Sequence, residues 1–175
     1  MVAFPLITPW SLESLGTFIT SVGGTYLGSV VSAAVPAADE AIYVPFAVDQ
    51  SFTAVKLWAV NGATAAGNID VAVYSAAGAK LTSAAQTAQS GTNTLQVFDI
   101  TDVVLTPGLY YLAVVCSNAT ATLFRGTLGS APLAQYGGMA QETLGAGAAL
   151  PSTATMAANS RAYIPLIGVS GRTLV

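Results

Sequence analysis

The sequence predicts an all-β protein with a jelly-roll-like β-sandwich fold, and three observations lead to this prediction. Short runs alternate apolar and polar residues with period two, as in IDVAVY at 69–74, which is typical of strands. Residues that favour turns interrupt these runs about every ten positions. The chain has 175 residues, of which 53% are apolar, so it can bury a core as one domain.

The first 40 residues differ from the rest and predict an extended N-terminal arm with room for one short helix. Thr8 fits a helix cap and Pro9 the first turn, but glycines at 16, 23 and 24 would each weaken a helix by about 1 kcal/mol. The apolar side chains of the arm are expected to be buried, either against their own domain or against a neighbouring subunit. The sequence leaves both alternatives open.

The β-sandwich domain is predicted to span residues 41–175. The predicted strands are, in chain order, 41–48, 52–60, the first part of 67–81, about 80–87, 94–100, the part of 105–115 after the Pro107–Gly108 turn, 121–125, and a closing strand at 162–169. The distance of the closing strand from the others fits a Greek-key return, in which a late strand joins early ones.

Three of these strands carry specific expectations. Pro45 places the first strand at a sheet edge or a bulge, because proline cannot donate a ladder hydrogen bond. In the second strand, Val55 and Leu57 are expected on one face and Trp58 on the other. Asp70 alternates to the polar face of the third strand. The Asn-Gly dipeptide at 61–62 and the alanine- and glycine-rich run behind it predict a loop.

Residues 126–160 break the strand pattern and are predicted to form a long loop. The segment is rich in Gly, Ala, Ser and Thr and has no clear period. Long loops in compact domains are usually functional or held by a partner. This segment is therefore predicted to be a contact region.

The residue inventory argues against an enzyme, and no catalytic, cofactor-binding or metal-ligating residues are predicted. The absence of histidine excludes a Ser-His pair, and zinc would depend on Cys116 and scattered carboxylates. Cys116 itself is expected to be a small buried apolar residue, because it lies in register with Leu112. A calcium site built from Asp99, Asp102 and backbone carbonyls is less remote than a catalytic pair of carboxylates, but the six or more oxygen ligands that calcium needs are not evident.

Nucleic acid and membranes are not predicted as partners. The net charge is −3, and the five cations are spread over more than 100 residues, so the sequence contains no basic patch. The uncharged stretch 14–38 is long enough to span a bilayer, but it contains several glycines and lacks flanking Lys or Arg.

A glycan stays open as a ligand. Flat rings on a sandwich face can stack on sugars, and four aromatic residues are candidates: Trp58, Tyr74, Tyr110 and Tyr111. The alternative, which we favour, is that these rings belong to the core, where aromatic side chains are routine.

Low charge predicts that the protein works in an assembly. Charged residues make up 7% of the chain, against roughly 25% in an average soluble protein, so little repulsion opposes self-association. A homo-oligomer or a larger assembly would cover such a surface. The alternative is an extracellular protein with a neutral Ser/Thr-rich surface.

Several runs between residues 41 and about 169 form a pattern of their own: AIYVPFAV, FTAVKLWAV, GNIDVAVYSAAGAKL, VVLTPGLYYLAVV and ATLFR, together with APL, ALPSTAT and the closing YIPLIGV. This part of the chain resembles a β-sandwich found in structural proteins of tailed bacteriophages, which include head-surface and tail-associated proteins. The resemblance covers roughly three quarters of the chain.

The resemblance implies a non-enzymatic structural protein located in the virion and assembled in the host cytoplasm. The preferred reading is a capsid decoration or cement protein, usually a homotrimer, that contacts the major capsid protein. A tail or fibre-associated module that binds a host receptor or carbohydrate is the alternative. A secreted carbohydrate-binding module is disfavoured, because no signal peptide is recognised at the start. The candidate partner-contact residues are Phe4, Trp10, Leu12 and Tyr136.

Overall fold

Antiparallel strands dominate the computed structural model of the protein, which describes residues 18–20, 30–35, 37–128, 130–147 and 149–171. The elements are, in chain order, β1 (Phe18–Thr20), β2 (Val30–Ala34), β3 (Glu40–Val48), β4 (Phe52–Val60), β5 (Asn68–Ser75), β6 (Lys80–Ser83), β7 (Thr87–Ala88), β8 (Leu95–Leu105), β9 (Gly108–Cys116), β10 (Thr122–Thr127), α1 (Ala131–Tyr136), β11 (Ala140–Thr143), β12 (Ala157–Ala158), β13 (Tyr163–Pro165) and β14 (Ile167–Ser170). The fold is an all-β sandwich, which confirms the predicted fold class.

The strands form one large sheet and two smaller ones. The large sheet has the order β12-β11-β3-β9-β5-β6, and β7 also pairs with β5. The smaller sheets have the orders β1-β14-β4-β8 and β13-β10-β2. An isolated bridge between Asn61 and Leu123 connects the two smaller sheets, because Asn61 follows β4 and Leu123 lies in β10.

The main core lies between the large sheet and the smaller sheets. Period-two alternation on β5 and β9 directs every second side chain to this side, including Ile69, Val71 and Leu112. Leu57 and Ile167 meet them from the opposite layer. Full burial of each such side chain contributes about 1.5–3 kcal/mol, so this interface supplies most of the hydrophobic stabilisation.

The alternation on β4 differs from the prediction at one position. A bulge lies between Ala54 and Lys56, where the register with β8 shifts. The bulge places Ala54, rather than Val55, on the core side with Leu57, because it adds one residue to the alternation. Trp58 faces the other way, as predicted, and is buried.

Pro45 lies at a local edge of the large sheet. β3 pairs with β9 from Ile42 to Val48, but with β11 only from Glu40 to Tyr43. The half of the strand that contains Pro45 therefore has one neighbouring strand, which confirms the predicted edge position.

The closing strand is divided between two sheets. Residues 163–165 pair with β10 as β13, and residues 167–170 pair with β4 as β14. Leu166 lies between them, and its backbone N–H donates to the carbonyl of Phe124. The return of a late strand to an early one was predicted. Neither the partner, β4, nor the division into two short strands was predicted.

Two predictions of irregular structure need correction. Residues 126–160 were predicted as a loop, but the structure has α1, β11 and β12 within them. These elements have no clear sequence pattern, because β11 and β12 are held by their pairing in the large sheet rather than by their own periodicity. Within the predicted arm, β1 pairs with β14 and β2 pairs with β10, so these parts extend the sheets of the sandwich. In the part of the chain that the structure describes, no helix is long and apolar enough to cross a membrane.

Candidate functional sites

The predicted partner-contact residues are only partly within the described structure. Phe4, Trp10 and Leu12 lie outside the described residues. Tyr136 ends helix α1 and is 94% exposed, and Leu133 one turn earlier is 56% exposed. Residues three apart share one face of a helix, so these two apolar side chains form a small surface, which we call the α1 surface.

The opposite side of α1 is anchored to the sandwich. Ala134 is buried and packs with Ile42, Val44 and Met139 of a satellite core cluster. The side chain of Gln135 donates from Nε2 to the carbonyl of Asn159 at 2.8 Å. The α1 surface is therefore presented by a helix whose position is set by packing.

The outer face of the large sheet is covered by the chain itself. β11 extends the sheet beside β3, and the chain that follows β11 covers the outer face. Four of its side chains join Tyr43 and Tyr74 in a second buried cluster: Leu144, Leu150, Ala154 and Met156. The Tyr43 hydroxyl donates to Glu142 Oε2 and the Tyr74 hydroxyl to the Pro151 carbonyl, both at 2.6 Å. The segment predicted as a contact region is thus held largely by its own domain.

The buried tyrosines of this cluster are not poised for acid–base chemistry. Burial raises the pKa of Tyr43 and Tyr74 far above the ordinary value, and the negative charge of Glu142 raises both further. The two rings pack edge to face with centroids 5.4 Å apart. Their role in this structure is to hold the covering segment in place.

Asp70 lies on the same face of β5 as Tyr74 and is only 2% exposed. The prediction that it lies on a polar face is therefore wrong, because this face of the strand is covered. Its Oδ2 accepts the Leu150 N–H at 3.1 Å, while Oδ1 has no hydrogen-bond partner within the described residues. Burial raises the pKa of this carboxyl, and the nearby Lys80 opposes the shift. Lys80 itself donates from Nζ to the Leu150 carbonyl at 2.6 Å.

We expect the Asp70→Asn variant to lose part of the pH dependence of folding. Because the folded-state pKa of Asp70 is raised, its contribution to stability is present below the unfolded value, about 3.9, and is lost as the pH rises through the folded value. A neutral amide is cheaper to bury than an ionised carboxylate, so at pH 7 the variant should be more stable than the wild type by roughly 1 kcal/mol.

Urea unfolding at pH 4 and pH 7 measures this difference. The stability gain of Asp70→Asn at pH 7 should shrink on acidification. Equal profiles for the wild type and Asp70→Asn would contradict the prediction.

The remaining candidates of the sequence fall into ordinary structural positions. Cys116 is buried, as predicted, and burial raises its pKa to about 12. Asp99 pairs with Lys56, which lowers the pKa of the carboxyl. Among the described residues, no group of three or more Cys, Asp and Glu side chains is placed to hold a metal ion.

The four aromatic glycan candidates do not form one exposed platform. Trp58 and Tyr74 are buried, which confirms their predicted place in the core. Tyr110 and Tyr111 are half-buried on opposite faces of β9, because they are consecutive in the strand. Tyr110 packs against Phe46, with ring centroids 5.7 Å apart.

Two arginines that sequence reasoning did not single out lie close together. Arg161 binds Glu40 through both Nε and Nη2, with Nε 2.6 Å from Oε1. The guanidinium carbon of Arg125 lies 4.3 Å from the centroid of the Tyr163 ring. The two cations are far apart in sequence, but they line one groove beside the paired strands β10 and β13.

The chain matches no protein-family model, and no curated protein matches its sequence significantly.

Proposed function

We propose that the protein is a non-enzymatic structural protein of a bacteriophage virion, acting as a decoration or cement protein on the head. The observation that carries the proposal is the α1 surface, where Leu133 and Tyr136 are exposed on an anchored helix. A tyrosine with 94% exposure has little stabilising role within its own chain, but aromatic residues are common anchors in protein interfaces.

Composition and fold support the same proposal. With 7% charged residues, the chain has few charges to keep copies apart, which suits a protein whose surface is covered in an assembly. Residues 41–169 resemble phage structural proteins, and the sandwich is a scaffold that presents α1 to a shell subunit. The absence of histidine from the sequence also fits a role without acid–base catalysis.

Copy number in purified phage particles tests the location. For a decoration or cement protein, quantitative mass spectrometry should find a copy number of this chain comparable with that of the major capsid protein. A small multiple of the tail symmetry would instead support the tail or fibre alternative, in which a glycan is the ligand. Absence from particles would overturn both virion assignments.

A homotrimer is the proposed form in solution and on the shell. Sedimentation equilibrium of the full chain should then give three times the 17.6 kDa mass of one chain. A strictly monomeric protein over the micromolar range would contradict the trimer while leaving the head location to the mass-spectrometric test.

We expect the double variant Leu133→Ser and Tyr136→Ser to fold normally and to lose binding to particles. Both side chains are exposed, so thermal stability should change by less than about 0.5 kcal/mol. Two apolar anchors are worth about 1–2 kcal/mol each in an interface, so affinity for particles that lack the protein should fall at least about tenfold.

A matched control replaces two exposed apolar residues elsewhere. Val104→Ser with Leu109→Ser changes side chains that are 61% and 49% exposed around the β8–β9 turn. Binding to particles, followed by co-sedimentation, should be retained in this control. Equal losses in the two double variants would show that the α1 surface has no specific role.

A further inference from the structure

A positively charged groove lies beside the paired strands β10 and β13. Thr127 pairs with Tyr163, and Arg125 pairs with Pro165 across the two antiparallel strands. Directly paired residues project to the same face of a sheet, so Arg125, Thr127 and Tyr163 share one face. The groove has a volume of about 310 Å³, and its lining residues are Arg125, Thr127, Ser160, Arg161, Ala162 and Tyr163.

The charges in this groove are arranged so that the positive groups face solvent. Glu40 binds the Arg161 guanidinium in a bidentate pair, yet the side chain of Glu40 is 7% exposed and that of Arg161 is 32% exposed. The carboxylate thus lies behind the guanidinium, and it does not line the groove. Counting Arg125, Arg161 and Glu40, the local charge is +1 in a chain whose net charge is −3.

Both guanidinium groups retain donors for a ligand. Arg161 uses Nε and Nη2 for Glu40, and within the described residues Nη1 makes no hydrogen bond. Arg125 is stacked on the Tyr163 ring and has no hydrogen bond or ion pair within the described residues. A planar guanidinium with free N–H groups recognises carboxylate, sulfate or phosphate oxygens by charge-assisted hydrogen bonds.

The wall of the groove is fixed before any ligand arrives. Ser160 donates from both its backbone nitrogen and Oγ to Gln141 Oε1, at 2.7 and 2.9 Å. Asn159 is buried, accepts the Arg161 N–H at 3.0 Å and donates from Nδ2 to the Arg161 carbonyl at 3.1 Å. A preorganised wall lowers the entropic cost of binding a small ligand.

We propose that this groove is a binding site for a small oxyanion, with Arg125 as the principal donor and Arg161 as the second. Thr127 also lines the groove, and its hydroxyl is the candidate for an additional neutral hydrogen bond. The site goes beyond the proposed structural role and does not depend on it, because it rests only on this groove.

Titration of the full chain with inorganic sulfate, and separately with acetate, tests the proposal. In each titration the added anion replaces chloride, so that the ionic strength stays constant. The chain has three arginines, Arg125, Arg161 and Arg172, so the Nε–Hε region of an NMR spectrum contains three side-chain signals to follow. The Arg125 and Arg161 signals should shift saturably in the low millimolar range. The lower of the two dissociation constants shows whether the groove prefers a tetrahedral oxyanion, represented by sulfate, or a carboxylate, represented by acetate.

Substitutions separate a specific site from general screening. Arg125→Gln should weaken binding of the preferred probe at least about tenfold, and Arg125→Lys, which keeps the charge and loses the planar fork, should weaken it less. Lys56→Gln removes the same charge from the Lys56–Asp99 pair, which does not line the groove, and this variant should bind the probe as the wild type does. The proposal is overturned if the wild-type signals do not saturate, or if Arg125→Gln and Lys56→Gln behave alike.

Discussion

Replacement of Asn61 by alanine is expected to lower the free energy of unfolding by about 3 kcal/mol, because three buried side-chain hydrogen bonds are lost. Asn61 is fully buried. Its Nδ2 donates to the Ser90 carbonyl at 2.6 Å and to Gln96 Oε1 at 2.8 Å, and its Oδ1 accepts from Gln89 Nε2 at 3.0 Å. The expected fall in melting temperature is roughly 6–12 °C for a domain of this size.

The isosteric variant Asn61→Asp separates the hydrogen bonds from the volume of the side chain. An ionised carboxylate keeps the shape but cannot donate to Ser90 or Gln96, so at pH 7 it should destabilise at least as much as alanine. The control is Asn118→Ala, at an exposed turn where the side chain accepts from the N–H and hydroxyl of Thr120, and its cost should not exceed about 1 kcal/mol. If denaturant unfolding gives similar losses at positions 61 and 118, the buried network does not stabilise the fold.

Gly62→Ala is expected to destabilise the protein by about 3 kcal/mol through a steric clash at the junction of the smaller sheets. An added Cβ would lie 2.2 Å from Ser32 Oγ and 2.6 Å from Thr122 Oγ1. Neither side chain can move without loss, because Ser32 Oγ accepts the Ala63 N–H at 2.8 Å and Thr122 Oγ1 accepts the Thr64 N–H at 2.7 Å.

A double-mutant cycle with Ser32→Ala tests the clash directly. Removal of Oγ relieves the shortest contact, so the double variant should be more stable than the sum of the single effects by about 0.5–3 kcal/mol. Gly145→Ala is the matched control, because nothing lies within 4 Å of its added Cβ. Equal unfolding free energies for Gly62→Ala and Gly145→Ala would show that the junction is looser than the structure indicates.

Period-two alternation was enough to predict the strands that form the main core. The residues of β5 and β9 alternate in the sequence as they do in the structure, and the turn residues after β5 mark the hairpin that it forms with β6. The Pro107–Gly108 turn instead leads from one sheet to another, because β8 and β9 are not paired. The bulge in β4 could not be predicted, because the shift from Val55 to Ala54 depends on the register with β8. Alternation alone carries no information about such a shift.

The Asn61–Gly62 dipeptide shows a second limit of sequence reasoning. It predicts a loop, and a loop does begin there, but Asn61 is buried and Gly62 is required by the closeness of Ser32 and Thr122. These contacts come from residues about 30 and 60 positions away in the chain, so local turn preferences cannot reveal them. The presence of Arg125 and Arg161 in one groove also depends on contacts between residues far apart in the chain, so the local sequence could not reveal it.

The covered outer face was also beyond prediction. Residues 140–156 contain mainly small residues without a period, so nothing in them indicates that they pack on Tyr43 and Tyr74. As a result Asp70, placed by alternation on a polar face, is buried. The pattern identified two faces of the strand correctly, but it could not tell that both are covered.

This double covering has a consequence for how the sequence can change over evolutionary time. All six residues from Ile69 to Tyr74 in β5 are buried, whereas exposed residues recur along β8. Neutral substitutions can therefore accumulate at the exposed positions of β8, whereas the centre of β5 has no exposed position at which they could be tolerated. A change there must be matched either by the opposite layer or by the covering segment, so β5 should diverge together with residues 140–156 rather than alone.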